Sequence, residues 1–319
     1  MSDCKKTACA EQFKTLIGGQ ALIEGIMMQG PEKRSIVVRG PEGIVTKVEP
    51  CRKRKGILTW PIIRGVYNFG GSMVNGVKAL MYSAEFFPEE TEEQPSKAEQ
   101  WFEQKFGSDK LEKALIYISV LLGICFSVGL FILLPTLISG LFDRLTDSHV
   151  IRSLIEGIVR VAIFVLYMYL VSKMKDIRRV FSYHGAEHKT IRCYEARLPL
   201  TVENVREQTR LHPRCGTSFM FVVIILSILV FTLVSALLPL ENIFLRMGVR
   251  LLLLPLVVSF SYEINRLVGR HDNWFTHILT APGMWFQNFT TFEPDDDMIE
   301  VAIEALTLVL PEEEGADKW

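Results

Sequence analysis

ALIYISVLLGICFSVGLFILLPTLISGLF, residues 114–142, contains no charged side chain. Neither does CGTSFMFVVIILSILVFTLVSALLPL, residues 215–240. A helix rises about 1.5 Å per residue, so about 20 apolar residues cross the hydrocarbon core of a bilayer. Both runs exceed that length, and both lie too far from the N-terminus to be a signal-peptide core. The competing reading, a buried helix of a soluble protein, fits such lengths poorly. Residues 113–142 and 217–240 are therefore predicted to be transmembrane helices.

Average composition hides this. The chain has 319 residues, is 49% hydrophobic and carries a formal net charge of −1, values a soluble protein shares. The information lies in how the charges are segregated. Cysteines at positions 4, 9, 51, 125, 193 and 215 show no short repeated spacing, so no disulfide framework is expected and the thiols read as reduced.

Two further spans are less obvious. Residues 151–172 have an uncharged core from Val161 to Ser172, preceded by Glu156 and Arg160. Residues 244–264 have one from Leu251 to Tyr262, preceded by Arg246 and Arg250. These cores alone are too short to cross a bilayer. Either the basic side chains snorkel to the interface, or the charges pair inside the bundle, which would hint at function.

Loop charge sets the orientation. Residues 173–216 carry Lys173, Lys175, Arg178, Arg179, Lys189, Arg192, Arg197, Arg206, Arg210 and Arg214, whereas the turn between the first two spans has only Arg144 and Arg152. The basic stretch is expected to be cytoplasmic, and four spans then place both termini there too. The fold class is an α-helical integral membrane protein of about four transmembrane helices, in the cell membrane, with a small N-terminal β-rich cytoplasmic domain. Lipid is the expected partner, and nucleic acid is not.

Outside the spans, residues 1–16 read as an unstructured start. Residues 17–58 read as β-rich: Ala21–Met28, Ser35–Val38 and Ile44–Val48 suit strands, and Gly30-Pro31, Gly40-Pro41 and Gly43 punctuate them. The basic run Arg52–Lys55 is either a solvated loop or a contact for anionic headgroups. Within 59–87, Ile62, Ile63, Val66, Phe69, Met73, Val74, Val77, Leu80 and Met81 form a helical stripe, which would lie in the membrane interface or pack on the domain. Residues 88–112 are an acidic linker leading into a helix start. The region 265–319 is expected to be cytoplasmic and to hold an amphipathic helix near 295–310, with His271 and His277 in an interfacial loop.

The chemistry concentrates in the basic stretch. Tyr183-His184-Gly185-Ala186-Glu187-His188-Lys189 places two imidazoles four residues apart, on one face if the segment is helical. H-x-x-E-H is the inverted zincin order, in which Glu187 would activate water beside the ion. A five-residue pattern arises easily by chance. A second group, His212-Pro213-Arg214-Cys215, lies at the far end of the same stretch, after a helix expected at 201–211. His184, His188, His212 and Cys215 together would form a closed four-ligand zinc site, whereas three of them would leave a position open. Without an ion, the same residues read as interfacial histidines and a buried thiol. Glu263 and Arg214 are candidate supporting residues: Glu263 would be a ligand, a partner of an imidazole, or a helix-end carboxylate facing water. The glycine-rich stretch from Gly18 does not match a phosphate-binding spacing, and is read as tight turns with close backbone approach.

Several longer motifs, taken in order, carry a resemblance. Gly18-Gly19-Gln20-Ala21-Leu22-Ile23-Glu24-Gly25, Met27-Met28, Arg64-Gly65, Lys78-Ala79-Leu80, His184–Lys189, His212–Ser218 and Thr290-Thr291-Phe292-Glu293-Pro294 are similar to those of the YqhQ-like family of bacterial membrane proteins. The resemblance runs from about Ile17 to Met298. It implies a membrane location and a role for the His, Glu and Cys motifs, in a family without assigned function that is sometimes labelled metal-dependent. Three functions compete: a metal-dependent hydrolase at the cytoplasmic face with Glu187 as base, a non-enzymatic assembly or scaffold protein with a structural metal, and a transporter. The last is weakest, because four spans without paired repeats offer little pathway.

Overall fold

The glycine-punctuated segment folds as an antiparallel meander in the computed structural model, which describes residues 13–51, 56–87, 108–141, 148–238, 242–271, 273–313 and 315–318. Strands β1 (Gly18–Leu22), β2 (Gly25–Gln29), β3 (Lys33–Gly40) and β4 (Gly43–Pro50) pair in sequence order. The run 21–28, expected as one strand, instead turns at Ile23-Glu24, with Leu22 opposite Gly25. Glycine is required at that turn: a Cβ on Gly25 would lie 2.5 Å from the Val37 carbonyl oxygen of β3. Glu24 adopts φ 49° there. Its carboxylate is held by Arg179 and by the Tyr183 hydroxyl, which donates at 3.2 Å.

Helices follow: α1 (Ile63–Ala84), α2 (Ser108–Val128), α3 (Leu134–Gly140), α4 (His149–Val171), α5 (Lys175–Glu195), α6 (Val202–Arg206), α7 (Gly216–Leu237), α8 (Ile243–Arg270), α9 (Trp274–Thr290) and α10 (Asp296–Thr307). A π-helical turn, Gly129–Leu133, joins α2 to α3. The basic run Arg52–Lys55 and the acidic segment 88–107 lie outside the described residues.

The chain divides into two units. The first comprises residues 1–87, 168–227 and 254–319, and the second residues 88–167 and 228–253. In the first, the sheet is covered on both faces, which explains why β2 is buried continuously from Gly25 to Met28 instead of alternating. Ile26, Met28 and Val37 pack against Tyr183, Ala186 and Ile191 of α5 and against Met298, Val301, Ala302, Ala305 and Leu306 of α10. Leu22, Met27, Ile36 and Val38 face the other way, toward Ala79, Tyr82 and Phe86. Helix α1 turns its small residues inward, with Gly65, Gly76, Ala79 and Ser83 buried. Its apolar stripe, from Val66 through Met73 and Val77 to Met81, is left exposed.

Three sequence expectations need correction. The start is fixed from Phe13 onward rather than from residue 17: Thr15 is buried, its hydroxyl donates to Asp317 at 2.6 Å and its amide to Glu195 at 2.9 Å. The helix expected at 201–211 stops at Arg206, because side chains of α5 take the following carbonyls: His188 Nδ1 meets Arg210 O and Arg192 Nε meets Leu211 O, both at 2.6 Å. Helix α9 replaces the loop expected around His277, started by a capping box between Asn273 and Thr276.

Among the described residues, four helical stretches are long and apolar enough to cross a membrane: Ile118–Gly140, Val150–Val171, Gly216–Leu237 and Phe244–Arg270. In the second unit, the charges interrupting α4 and α8 pair inward. Arg160 and Arg250 both donate to Oε1 of Glu156, and all three residues are buried.

Candidate metal centre

Helix α5 builds the centre. Every residue from Gly185 to Ile191 is buried, since the sheet, α10 and the strand-like segment after α9 enclose its middle turns. Gly185 permits the closest approach: a Cβ there would stand 2.0 Å from the carbonyl oxygen of Phe292. That segment, the Thr290-Thr291-Phe292-Glu293 motif, is tied down at each residue. Phe292 N–H donates to Phe181 O at 3.0 Å, Arg210 Nη1 donates to Thr291 O, and Lys189 Nζ pairs with Glu293 at 2.5 Å.

His184 and His188 share one face of α5, with ring centroids 4.4 Å apart. Each is oriented through Nδ1 by a main-chain carbonyl: Thr290 O at 2.8 Å for His184 and Arg210 O at 2.6 Å for His188. A carbonyl only accepts, so Nδ1 carries the proton in both rings and Nε2 points inward, the usual arrangement of a metal-binding imidazole. Cys215 immediately precedes the N-terminus of α7. Its Sγ lies 3.2 Å from His184 Nε2 and accepts from the Thr217 hydroxyl at 3.3 Å. One ligand atom each from His184, His188 and Cys215 fall within 4.8 Å of one another. Around a tetrahedral zinc ion, neighbouring N and S donors stand roughly 3.3–3.6 Å apart, so a small side-chain movement completes the triangle.

Electrostatics favour the ligand form of the thiol. Burial alone would raise the Cys215 thiol, but the His188 and His184 imidazoles beside it outweigh burial and hold it well below its ordinary value. The end of α7 adds a positive dipole. Burial would lower His184, but the adjacent Cys215 sulfur and Glu187 carboxylate push it up to about 9. The two groups thus favour each other's charged forms, and an ion entering the site would displace any proton shared between them.

Glu187 stands at the same level. Its Oε1 accepts from the Gly19 amide at 2.9 Å. Burial raises its pKa against the pull of the two imidazoles. Two atoms here are buried and, among the described residues, lack a hydrogen-bond partner: Glu187 Oε2 and His188 Nε2. Unpaired buried polar atoms are costly, and a cation held by the His184–His188–Cys215 triangle would satisfy His188 Nε2.

The remaining candidates lie further out. The His212 ring is 5.6 Å from that of His188, but its Nε2 lies 3.4 Å from Glu195 Oε2, so it stands beside the triangle and not in it. Burial drives His212 down to about 4. Its backbone is clamped by the buried Gln287, whose Oε1 accepts from His212 N at 2.8 Å and whose Nε2 donates to His212 O at 2.7 Å. Arg214 pairs with Glu195. Glu263 pairs with Arg64 of α1, Arg64 Nε donating at 2.6 Å, and so supports the α1–α8 contact. Arg214, His271 and His277 line a cavity together with Lys14, Arg192 and Glu195.

Sequence reading passes over Glu195 and Gln287, and meets Gly19 and Thr290 only inside longer motifs, with no role at the centre. Glu195 had a signal, lying seven residues after His188 and hence on the same helical face. The other three reach the centre from distant segments, and no local pattern marks that role.

Residues 60–312 match a family model described as "Protein of unknown function (DUF1385)". The chain is 35% identical over 298 residues to "Uncharacterized protein YqhQ" of Bacillus subtilis (strain 168), a match covering 92% of each chain. No solved structure matches.

Proposed function

The chain belongs to the DUF1385 family of unknown function, and within it we propose a membrane-embedded metal protein whose His184–His188–Cys215 centre serves hydrolysis at the cytoplasmic face. The observation that carries this reading is the convergence of ligand atoms of His184, His188 and Cys215 within 4.8 Å, with Glu187 Oε2 and His188 Nε2 buried and orphaned. Mixed imidazole and thiolate donors suit zinc, and three protein ligands leave a fourth position open, the pattern of catalytic sites. A bound divalent ion supplies Lewis acidity and a more acidic water. Glu187, oriented by Gly19 and made more basic by burial, is placed to take the proton. Four apolar helices support residence in the cell membrane, and the basic stretch 173–216 supports a cytoplasmic centre with both termini on the same side. The exposed apolar stripe of α1 suits a lipid interface.

A structural metal in a non-enzymatic scaffold is the second reading. It is favoured by His212, which needs only to leave Glu195 to close a four-ligand shell.

Metal analysis and Glu187→Gln separate the two. Protein purified without chelators should hold about one divalent ion per chain. Its cobalt-substituted form should show a thiolate-to-metal charge-transfer band that Cys215→Ser removes. Glu187→Gln should keep the ion. A hydrolase then fails to restore function in cells lacking the protein, whereas a scaffold carrying this substitution still works. Wild-type protein without any bound ion would falsify both readings.

A further inference from the structure

Helix α9 has the polarity of a water-facing helix reversed. Residues 273–292 contain no charged side chain. Trp274, Ile278, Ala281 and Trp285 follow one another at spacings of four, three and four residues, so they form one stripe along the helix. All four are exposed, and Trp274, Ile278 and Trp285 each by more than half. The opposite face turns hydroxyls and an amide inward: Thr276, Thr280, Gln287 and Thr290 are buried. A surface helix in water keeps its polar side chains outside and its apolar ones inside.

The neighbours of α9 show what lies beyond the stripe. A Cβ on Gly283 would stand 2.6 Å from Ser218 Cα, Gln287 Nε2 donates to Ser218 Oγ at 3.2 Å, and the Phe286 and Phe221 rings are 4.8 Å apart. Ser218 and Phe221 belong to the first two turns of α7, where the candidate span Gly216–Leu237 begins. Phe289 meets Tyr169 edge-on, with ring centroids 6.1 Å apart. Tyr169 lies two residues before the end of the candidate span Val150–Val171, and Lys173, just beyond that end, sits over its ring at 4.9 Å. Trp, Tyr and Lys side chains gather at this depth of a bilayer. The first turns of α9, at Thr276 and Thr280, share a cavity with Pro213 and Arg214, which precede α7. Both ends of α9 thus stay at one boundary of the hydrocarbon core, and the helix runs along it instead of crossing.

We infer that α9 lies in the plane of the membrane surface, with Trp274, Ile278, Ala281 and Trp285 in lipid. This rests on the membrane residence of α4 and α7 proposed above. It sets the metal centre against the lipid headgroups, because Thr290 O orients His184 and Gln287 holds the backbone of His212.

Tryptophan quenching of the full-length protein in lipid nanodiscs tests this. The chain has five tryptophans. Replacing the others by Phe leaves Trp274 or Trp285 as the single emitter. Ile278→Trp in a tryptophan-free chain is a further reporter of the same face, and stands in for either variant that fails to elute like the wild type. Leu229→Trp, exposed in the middle of α7, is the control. Phosphatidylcholine brominated high on its acyl chains should quench most of the emission of the α9 reporters, and aqueous iodide should quench little of it. Lipid brominated near the chain ends should quench Leu229→Trp. If iodide quenches the α9 reporters while brominated lipid quenches only Leu229→Trp, the membrane reading stands and the inference about α9 is overturned. If neither quencher reaches the α9 reporters, protein covers the stripe and the inference is overturned equally. If brominated lipid fails on Leu229→Trp as well, the membrane reading itself falls.

Discussion

The amide of Gly19 donates to Glu187 Oε1 at 2.9 Å, joining the first strand to the middle of α5 across 168 positions of sequence. The contact aims the carboxylate, using one oxygen and leaving the other beside the His–Cys cluster. It also explains the glycine, because a Cβ at position 19 would lie 2.8 Å from Met27 O and 2.9 Å from Glu187 Cδ. Gly19→Ala is therefore expected to destabilise the protein by about 1–3 kcal/mol, the usual range for overpacking. It should also displace Glu187. Thermal unfolding of the purified variant beside the wild type checks the first effect, and complementation at permissive temperature checks the second.

Gly185→Ala tests the support of His184. Its methyl group would overlap Phe292 O, so the 290–293 segment must retreat and carry Thr290 O away from His184 Nδ1. Loss of such an orienting bond typically costs about 10- to 100-fold in metal affinity. Zinc competition against a chromophoric chelator should show a loss in that range, and unchanged affinity would separate the segment from the centre.

His212 gives the metal-free protein a signed pH dependence. Burial lowers its pKa in the folded state to about 4, against 6.5 when unfolded. Between those values the unfolded chain binds a proton that the folded chain does not. Its contribution is present above about 6.5 and is lost as the pH falls toward 4. The stability difference between wild type and His212→Asn should shrink by about 2 kcal/mol from pH 7 to pH 5. A difference flat over that window in chemical denaturation would contradict a buried neutral imidazole.

Glu156→Gln leaves two buried guanidiniums without their shared carboxylate. Removing one partner of a buried ion pair typically costs about 3–5 kcal/mol. The variant should melt far below the wild type in the same detergent. Arg160→Gln should cost less, since Arg250 still compensates Glu156.

Single cysteines in a background lacking the native ones test the orientation. Positions 147 and 241 should react with an impermeant maleimide added outside intact cells, and position 197 only after lysis. Outside labelling at 197 would invert the proposed topology.

Four membrane-length helices and the candidate metal residues were legible in the sequence because each depends on local pattern. Two of the spans carry more than twenty uncharged residues and the other two an apolar core extended by basic residues, and two histidines four apart on a helix share a face whatever surrounds them. The β-rich start was legible through its glycines, but its turn at Ile23-Glu24 was not, since it depends on Gly25 meeting Val37 in a neighbouring strand. Tertiary structure alone decided which ligands converge. His184 and His188 turn inward because carbonyls of Thr290 and Arg210, distant in sequence, hold their outer nitrogens, while Glu195 draws His212 aside. It also decided that Glu156, Arg160 and Arg250 pair within the helices instead of snorkelling, a choice set by the burial of Glu156 on α4 opposite Arg250 on α8. Local sequence fixes what a segment can be, through period and polarity. Which polar atoms meet depends on desolvated partners brought from elsewhere in the chain, and only the folded structure supplies them.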